Sequence, residues 1–276
     1  MSAIFPSERS TNTVFSAGRD APIRESPAAY RHPVRRDPRW LCESCGYDLK
    51  GRAPEDACTE CGALAGDSLP ERRTGSPWQR RPGPGAWVRT LALVALSPRA
   101  CWGGFVPEVR RSVGLLVVTT GTAAALIAAS LLIDRITGIR PKPDYVAGFF
   151  LTAWLLMIAL SVIEYLGIRF FGGRRGWRID APVAACVVSH AGVGWLGAAA
   201  LVAGAWQGGN ALRNAHAIPQ FVSIAGAAVQ SVVLGLALSA VLGIVVYELF
   251  VYSGVRAMRF ANAPRDFRGS VTTPDR

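Results

Sequence analysis

The sequence lacks the motifs that mark the common enzyme classes. It has no H-E-x-x-H metal motif, no G-x-S-x-G nucleophile turn, no P-loop, and no glycine-rich dinucleotide fingerprint after a strand. Histidine occurs only three times in 276 residues. We therefore expect a protein that is not an enzyme, with an intramembrane enzyme as a remote alternative that no motif supports.

Lysine is almost absent, since Lys50 and Lys142 are the only two, and arginine carries nearly all of the net charge of +11. In a membrane protein such an excess is explained first by the positive-inside rule and by attraction to anionic lipid. Binding to nucleic acid comes second as an explanation. A long apolar run is missing from the first twenty-five residues, so we expect no secretory signal peptide.

Cysteine is concentrated in one short stretch. Two C-x-x-C pairs lie close together, each followed by glycine, and their members are Cys42, Cys45, Cys58 and Cys61. Zinc favours four thiolates in a tetrahedron, and glycine can adopt the positive φ that such a tight turn needs. Because this stretch has too few large apolar residues for a core, a metal must supply its folding energy. We predict one structural zinc ion in a closed site without catalytic activity.

Three other uses of four cysteines compete with zinc binding. A pair of disulfides needs an oxidising compartment and gives no reason for the two glycines. A redox C-x-x-C belongs at a helix start beside a strand–helix unit, which the sequence does not indicate here. An iron–sulfur cluster also takes four cysteines. The two remaining cysteines, Cys101 and Cys186, are interpreted as free, lightly polar core residues.

The pattern C-x-x-C-G-Y-x-L-x-G followed by C-x-x-C-G resembles the short N-terminal zinc ribbons of certain bacterial multi-span membrane proteins, mostly uncharacterised. The match is carried by Cys42, Cys45, Gly46, Tyr47, Leu49, Gly51, Cys58, Cys61 and Gly62. This resemblance implies zinc and a membrane neighbour, but no reaction. A fainter likeness to the Yip family of multi-span membrane proteins lies in Ser97-Pro98-Arg99 and in the stretch from Trp102 to Pro107. No trafficking function is inferred from it.

The chain divides by composition into six parts. We predict a disordered basic arm at 1–38, the zinc ribbon with two short β-hairpins at 39–64, a Pro/Gly/Arg linker at 65–85, an interfacial helix and loop at 86–111, a membrane domain at 112–258 and a cytoplasmic tail at 259–276. The predicted fold class is mainly α: a four-helix transmembrane bundle with a small N-terminal zinc module.

Four apolar stretches are long enough to cross a bilayer, at 112–133, 145–168, 182–206 and 229–252. The last apolar block, 218–258, has room for two spans. Five spans in all would place the arginine-rich C-terminus outside, against the positive-inside rule. We therefore expect four spans, with 219–228 as an interfacial or tilted lead-in to the fourth. Both termini then lie in the cytoplasm, and the protein is expected in the bacterial inner membrane.

Stripes with a four-residue spacing and many small residues occur in three of the predicted spans. The fourth span and its lead-in carry Ala227, Ser231, Gly235, Ser239 and Gly243, the third carries His190, Gly194 and Ala198, and the first carries Gly121, Ala125 and Ala129. Such stripes let helix backbones approach closely. They join helices either within one chain or between two copies, so self-association through them stays open.

Three ionisable residues inside the spans are the default functional candidates: Glu164, His190 and Glu248. One interpretation is a set of interfacial salt bridges and hydrogen bonds. Others are a proton or cation path through His190, or a second metal site made of all three residues. These residues support a small transporter or channel subunit as the alternative function. The first hypothesis is a non-enzymatic scaffold or adaptor, anchored in the bilayer, whose ribbon binds a protein partner at the cytoplasmic face.

Overall fold

The computed structural model describes residues 40–132, 142–216, 218–219, 221–224 and 227–262. The predicted arm 1–38 and the tail beyond residue 262 lie outside the described residues. Within these residues the chain is mainly helical, as predicted. Its helices and strands are α1 Pro77–Arg80, α2 Pro84–Leu96, α3 Pro98–Cys101, α4 Val109–Leu132, α5 Pro143–Arg174, α6 Ala181–Ala191, α7 Val193–Asn214, β1 Phe221–Ile224, β2 Ala227–Gln230 and α8 Ser231–Met258.

Four helical segments are long and apolar enough to cross a membrane, and this confirms the prediction of four such helices. They are Val109–Leu132, Pro143–Arg174, Ala181–Leu212 and Ser231–Met258. In the described part of the chain, the last apolar block thus supplies one membrane-length helix and not two. The second membrane-length helix, α5, continues past the predicted end of its span at residue 168 and ends at Arg174. Long arginine side chains can reach the polar interface from such an extension.

The third of these segments is the centre of the bundle. Of the most apolar part of this segment, 61% is buried inside the structure, whereas the corresponding share is 11% in α5 and 17% in α8. It begins at Asp180, whose side chain accepts a hydrogen bond from the Val183 backbone N–H at 3.3 Å. It is interrupted at Gly192, where a Cβ atom would come within 2.9 Å of the Ser189 carbonyl oxygen. This interruption divides the segment into α6 and α7.

Small residues bring α7 and α8 together within one chain. A Cβ atom on Gly194 would lie 2.6 Å from the Cα atom of Tyr247, so only glycine fits this crossing. Gly243, at one end of the predicted stripe in the fourth span, also lies at the contact between α7 and α8, because it packs directly against Ala198. Gly235, on the same stripe, has no atom of another element near the position of a Cβ atom.

The segment before α8 differs from the prediction. Where an interfacial or tilted lead-in to the helix was expected at 219–228, β1 and β2 form a two-stranded antiparallel hairpin in which Phe221 pairs with Gln230 and Ile224 with Ala227. Ala227 therefore lies on a strand and not on the helical stripe. Pairing the two strands satisfies backbone polar groups locally, which a short irregular lead-in near a bilayer does not achieve.

The segment 65–85, expected to be an irregular linker, also differs. It contains two short 3₁₀ turns, Ala65–Ser68 and Pro70–Arg72, and then α1. The start of α1 is fixed by a capping box, in which the Ser76 hydroxyl accepts from the Gln79 backbone N–H and the Gln79 side chain accepts from the Ser76 N–H. Proline at the first helical position strengthens this start.

Helix α2 lies where a short apolar helix was expected, and it packs against the first long helix. The Trp87 indole N–H donates to the Thr119 hydroxyl at 3.0 Å. Val94 is fully buried, whereas Leu96 is 83% exposed. One side of α2 thus joins the bundle, and its other side presents apolar residues outward.

Candidate metal centre

The residues 40–64, here called the cysteine segment, contain two turns of the same construction. In the first, the Gly46 N–H donates to the Cys42 carbonyl at 2.7 Å, and in the second the Gly62 N–H donates to the Cys58 carbonyl at 2.9 Å. Both glycines have positive φ, +85° and +74°. This is the role that the sequence predicts for a glycine after each C-x-x-C pair.

Each turn is closed by one antiparallel bridge in place of the predicted β-hairpin. Leu41 pairs with Asp48, and Ala57 pairs with Leu64, as isolated bridges. The turns are too short to extend these bridges into strands. The cysteine segment therefore has two knuckles without a sheet.

The two turns bring the four cysteine thiols together. The sulfur atoms of Cys42, Cys45, Cys58 and Cys61 all lie within 4.8 Å of one another. The Cys42 and Cys61 sulfurs are 3.6 Å apart and those of Cys45 and Cys58 are 3.7 Å apart. Four sulfurs at tetrahedral zinc–thiolate bond lengths of about 2.3 Å would be separated by about 3.8 Å. The site can therefore hold one metal ion.

The thiols differ in exposure and in proton affinity. Cys42 and Cys58 are buried, Cys45 is half-buried and Cys61 is exposed. A hydrogen bond from the backbone N–H of Ala63 is the main cause that lowers the pKa of Cys61 to about 7. Desolvation is the main cause that raises the pKa of Cys45 to about 12. Cys61 therefore ionises at lower pH than Cys45, and a metal ion must displace the protons that the thiols still carry.

The cysteine segment has a small core of its own. Trp40, Leu49 and Ala65 are buried together with Cys42 and Cys58. The Trp40 indole N–H donates to the Ser68 carbonyl at 3.2 Å, and the Ser68 hydroxyl accepts from the Glu43 N–H at 3.0 Å. Such a core is small for independent stability, so a bound metal and contacts with the rest of the chain have to contribute.

A buried ion pair connects the cysteine segment to the residues before α4. Arg73 is almost fully buried, and its guanidinium bonds Glu43 with N–O distances of 2.7 and 3.1 Å. The same guanidinium donates to the carbonyl oxygens of Trp102 and Phe105 at 3.1 and 2.8 Å. All three acceptors converge on one planar group, which arginine accommodates better than lysine.

The C-terminal end of α8 supplies a second connection. The Asn262 side-chain amide donates to the carbonyl oxygens of Leu41 and Ser68 at 2.7 and 2.9 Å. Its backbone N–H donates to Glu43 at 2.8 Å. Arg178, in the loop after α5, donates to the Asn262 side-chain oxygen at 3.3 Å. The cysteine segment, this loop and the end of α8 therefore lie at one end of the bundle.

Two further residues after α8 contact the first knuckle. The ring of Phe260 lies over Gly46, and a Cβ atom there would come within 2.7 Å of it. The Arg259 guanidinium donates to the Ser44 carbonyl at 3.1 Å. The sequence alone does not predict the contacts of Arg259 and Phe260 with the first knuckle, because these residues form no motif. It predicts only that Gly46 is needed for the turn.

His190 belongs to a buried polar network and not to an open site. Its Nδ1 atom lies 2.8 Å from the Cys186 carbonyl oxygen, which can only accept, so Nδ1 carries the proton. The Nε2 atom then accepts from the Ser76 hydroxyl at 3.0 Å. The ring is stacked on Phe105 with centroids 4.2 Å apart. These contacts hold His190 as a neutral link between α6 and the capping box of α1.

Glu164 on α5 and Glu248 on α8 lie close enough for their carboxyl groups to interact electrostatically. Glu248 is exposed and Glu164 is half-buried. The pair borders an aromatic contact in which Trp195 stacks on Tyr247 with ring centroids 4.4 Å apart. Two neighbouring carboxylates repel each other, and a proton or a cation between them relieves that repulsion. Within the described residues, the four cysteines are the only candidate metal ligand set.

No family model matches the chain, and no curated protein and no solved structure matches it either.

Proposed function

We propose that the protein is a non-enzymatic integral membrane scaffold, with one structural zinc ion in a zinc ribbon formed by the cysteine segment. The observation that carries this proposal is the convergence of four thiols at spacings that fit a tetrahedral ion. Four thiolates fill the coordination sphere of zinc and leave no position for water or substrate. Soft thiolate ligands in a tetrahedron suit zinc, and they also suit iron, so the metal has to be measured.

The position of the ribbon supports a scaffolding role. Arg73, Asn262 and Phe260 fix one part of it to the end of the bundle. Other residues stay accessible, with Leu64 51% and Tyr47 39% exposed. Exposed apolar and aromatic residues on a rigid module are what a protein interface uses as anchors. We propose that this exposed part of the ribbon binds a protein partner.

We place the ribbon in the cytoplasm of a bacterium, with the bundle in the inner membrane. A cytoplasmic ribbon keeps its thiols reduced. The arginines of the loop after α5 and of the segment after α8 lie at the same end of the bundle as the ribbon, as the positive-inside rule requires for cytoplasmic segments.

The partner surface is tested by cross-linked capture from membranes with Leu64→Ser. The matched control is Leu96→Ser, which makes the same change at an exposed leucine on α2, outside the ribbon. The proposal expects that Leu64→Ser keeps its zinc and loses a partner that the native chain and the control retain. An identical set of captured proteins in all three samples would contradict it.

The contact between Glu164 and Glu248 supports a second candidate, a small transporter or channel subunit for protons or cations. His190, which the sequence placed with these two residues, is held by Ser76 and Cys186. The test is proton and cation flux into reconstituted vesicles with Glu248→Gln, compared with Glu55→Gln at an exposed position of the ribbon. Flux that Glu248→Gln abolishes and Glu55→Gln preserves would favour transport. Absence of flux in the native protein would exclude this candidate.

A further inference from the structure

A cavity of about 500 Å³ lies between α1, α2 and the loop that follows α3, away from the four cysteines. Its lining includes two arginines, two hydroxyl side chains and two large apolar side chains: Arg80, Arg89, Thr74, Ser97, Leu93 and Phe105. The cavity lies near the ribbon end of the bundle, because the Gly75 N–H donates to Gly104 in its wall at 2.8 Å, and Arg73, two residues earlier, bonds Glu43 of the ribbon.

The two arginines of this cavity carry charge that the described residues do not offset. Arg72, Arg73 and Arg111 each lie beside a carboxylate. For Arg80 and Arg89, no ion pair is found within the described part of the chain, and both are exposed. A guanidinium presents donors in a planar fork that matches a phosphate group. The hydroxyl groups of Thr74 and Ser97 are additional donors in the same wall.

The surroundings of the cavity are apolar and face outward. Helix α2 has thirteen residues, too few to cross a bilayer. It exposes Val88, Leu93 and Leu96, which are 55%, 37% and 83% exposed. A short helix with such a face is stable when the face lies in lipid at the membrane interface. Leu93 lines the cavity and also belongs to the exposed apolar face of α2, so the charged cavity and the apolar face adjoin at this residue.

We propose that this cavity binds the headgroup phosphate of an anionic phospholipid from the leaflet on the ribbon side of the bundle. Arg80 and Arg89 bind the phosphate, and the acyl chains lie along the exposed apolar face of α2. The net positive charge of the cavity selects anionic over zwitterionic headgroups. This proposal uses neither the metal centre nor a partner of the ribbon, so it stands independently of the proposed function.

The experiment is native mass spectrometry of the full-length protein in detergent, titrated with phosphatidylglycerol, with phosphatidylcholine and with inorganic phosphate. The test variant is Arg80→Gln/Arg89→Gln. The matched control is Arg174→Gln/Arg175→Gln, which removes the same charge from the end of α5, where these arginines stack on Phe170 and Trp177. Thermal unfolding and zinc content of each variant report whether the fold is retained.

We expect the native chain and the control to hold one phosphatidylglycerol more tightly than phosphatidylcholine. The test variant should bind it about thirtyfold more weakly, since each arginine near an anionic surface contributes about fivefold. Equal affinity in the test and control variants would overturn the proposal, because binding would then follow net charge alone. Preference for inorganic phosphate over the lipid would also overturn it, as would equal binding of both lipids.

Discussion

Asn262 pairs with Leu41 as a neighbouring strand would. Its side-chain amide donates to the Leu41 carbonyl at 2.7 Å, and its side-chain oxygen accepts from the Leu41 N–H at 3.2 Å. The two residues are 221 positions apart. One amide group thus replaces the strand that the short cysteine segment cannot supply, and it connects the segment to the end of the last long helix.

We predict that Asn262→Ala loosens this connection while α8 stays intact. Loss of the amide leaves the partly buried N–H and carbonyl of Leu41 without partners, and it leaves the Ser68 carbonyl with Trp40 as its partner. We expect a cost of about 1–3 kcal/mol. Hydrogen–deuterium exchange should show faster exchange at residues 40–49 and unchanged exchange in α8. Unchanged exchange at 40–49 would mean that Asn262 is not what holds the segment in place.

The glycine after Cys45 allows a second prediction with a built-in control. Gly46 and Gly51 both have positive φ, at +85° and +80°, so alanine is strained at both positions by about 1–2 kcal/mol. Only at Gly46 would the new methyl group meet a neighbour, the Phe260 ring at 2.7 Å, whereas nothing lies near Gly51.

Gly46→Ala should therefore destabilise the protein by about 1–3 kcal/mol more than Gly51→Ala, as overpacking typically does. The measurement is the thermal unfolding of both variants in detergent. Fluorine labelling of Phe260 detects displacement of its ring. Equal destabilisation by the two substitutions would contradict the contact between the knuckle and Phe260.

These residues also show where sequence reasoning stops. The glycines after each C-x-x-C pair follow from local turn chemistry, and the four long helices follow from apolar runs; both are local properties. The contacts of Asn262 and Arg73 join residues far apart in sequence and carry no pattern. The capping box at Ser76 and Gln79 was readable from sequence, but the surrounding prolines and glycines favoured a linker.

The interior of the bundle shows the same division. The small residues Gly194 and Gly243 were recognised as a packing surface, but which helix they face depends on how the chain folds back. His190 was grouped with Glu164 and Glu248 because all three are rare in spans. One of its actual partners, the Cys186 carbonyl, lies one turn earlier on α6 itself. The other, Ser76, is distant in sequence and is set by how the start of α1 meets α6, which no periodicity reports.

Helix crossing at Gly194 gives a third prediction. In Gly194→Ala the methyl group would lie 2.6 Å from the Cα atom of Tyr247, so the two backbones must separate. We expect a loss of about 1–3 kcal/mol. Gly204→Ala, on the same helix with nothing near its Cβ position, should be neutral or stabilising. Thermal unfolding of the two variants in detergent separates these cases, and equal stability would contradict the α7–α8 crossing.

Thiol reactivity gives a fourth prediction, for protein stripped of metal by a chelator. The thiolate is the reactive form, and the fraction of thiolate rises as pH rises through the pKa. The pKa of Cys61 is lowered to about 7 by the Ala63 N–H, whereas burial raises the pKa of Cys101 to about 11. Removal of the metal frees the exposed Cys61 thiol, so its alkylation should rise as the pH rises, and the buried Cys101 should stay unmodified. Peptide mass spectrometry reads both sites, and faster reaction at Cys101 would be inconsistent with this assignment.

The most direct test of the account measures metal content and hydrogen exchange together, in the native chain, in Cys58→Ser and in Cys101→Ser. The last variant removes a buried thiol outside the metal centre. The account predicts one zinc ion per chain in the native protein and in Cys101→Ser. It predicts loss of zinc in Cys58→Ser, with faster exchange at residues 40–64 and at 259–262 while α4 to α8 stay protected. Zinc that is absent from the native protein, or retained at full content in Cys58→Ser, would contradict it.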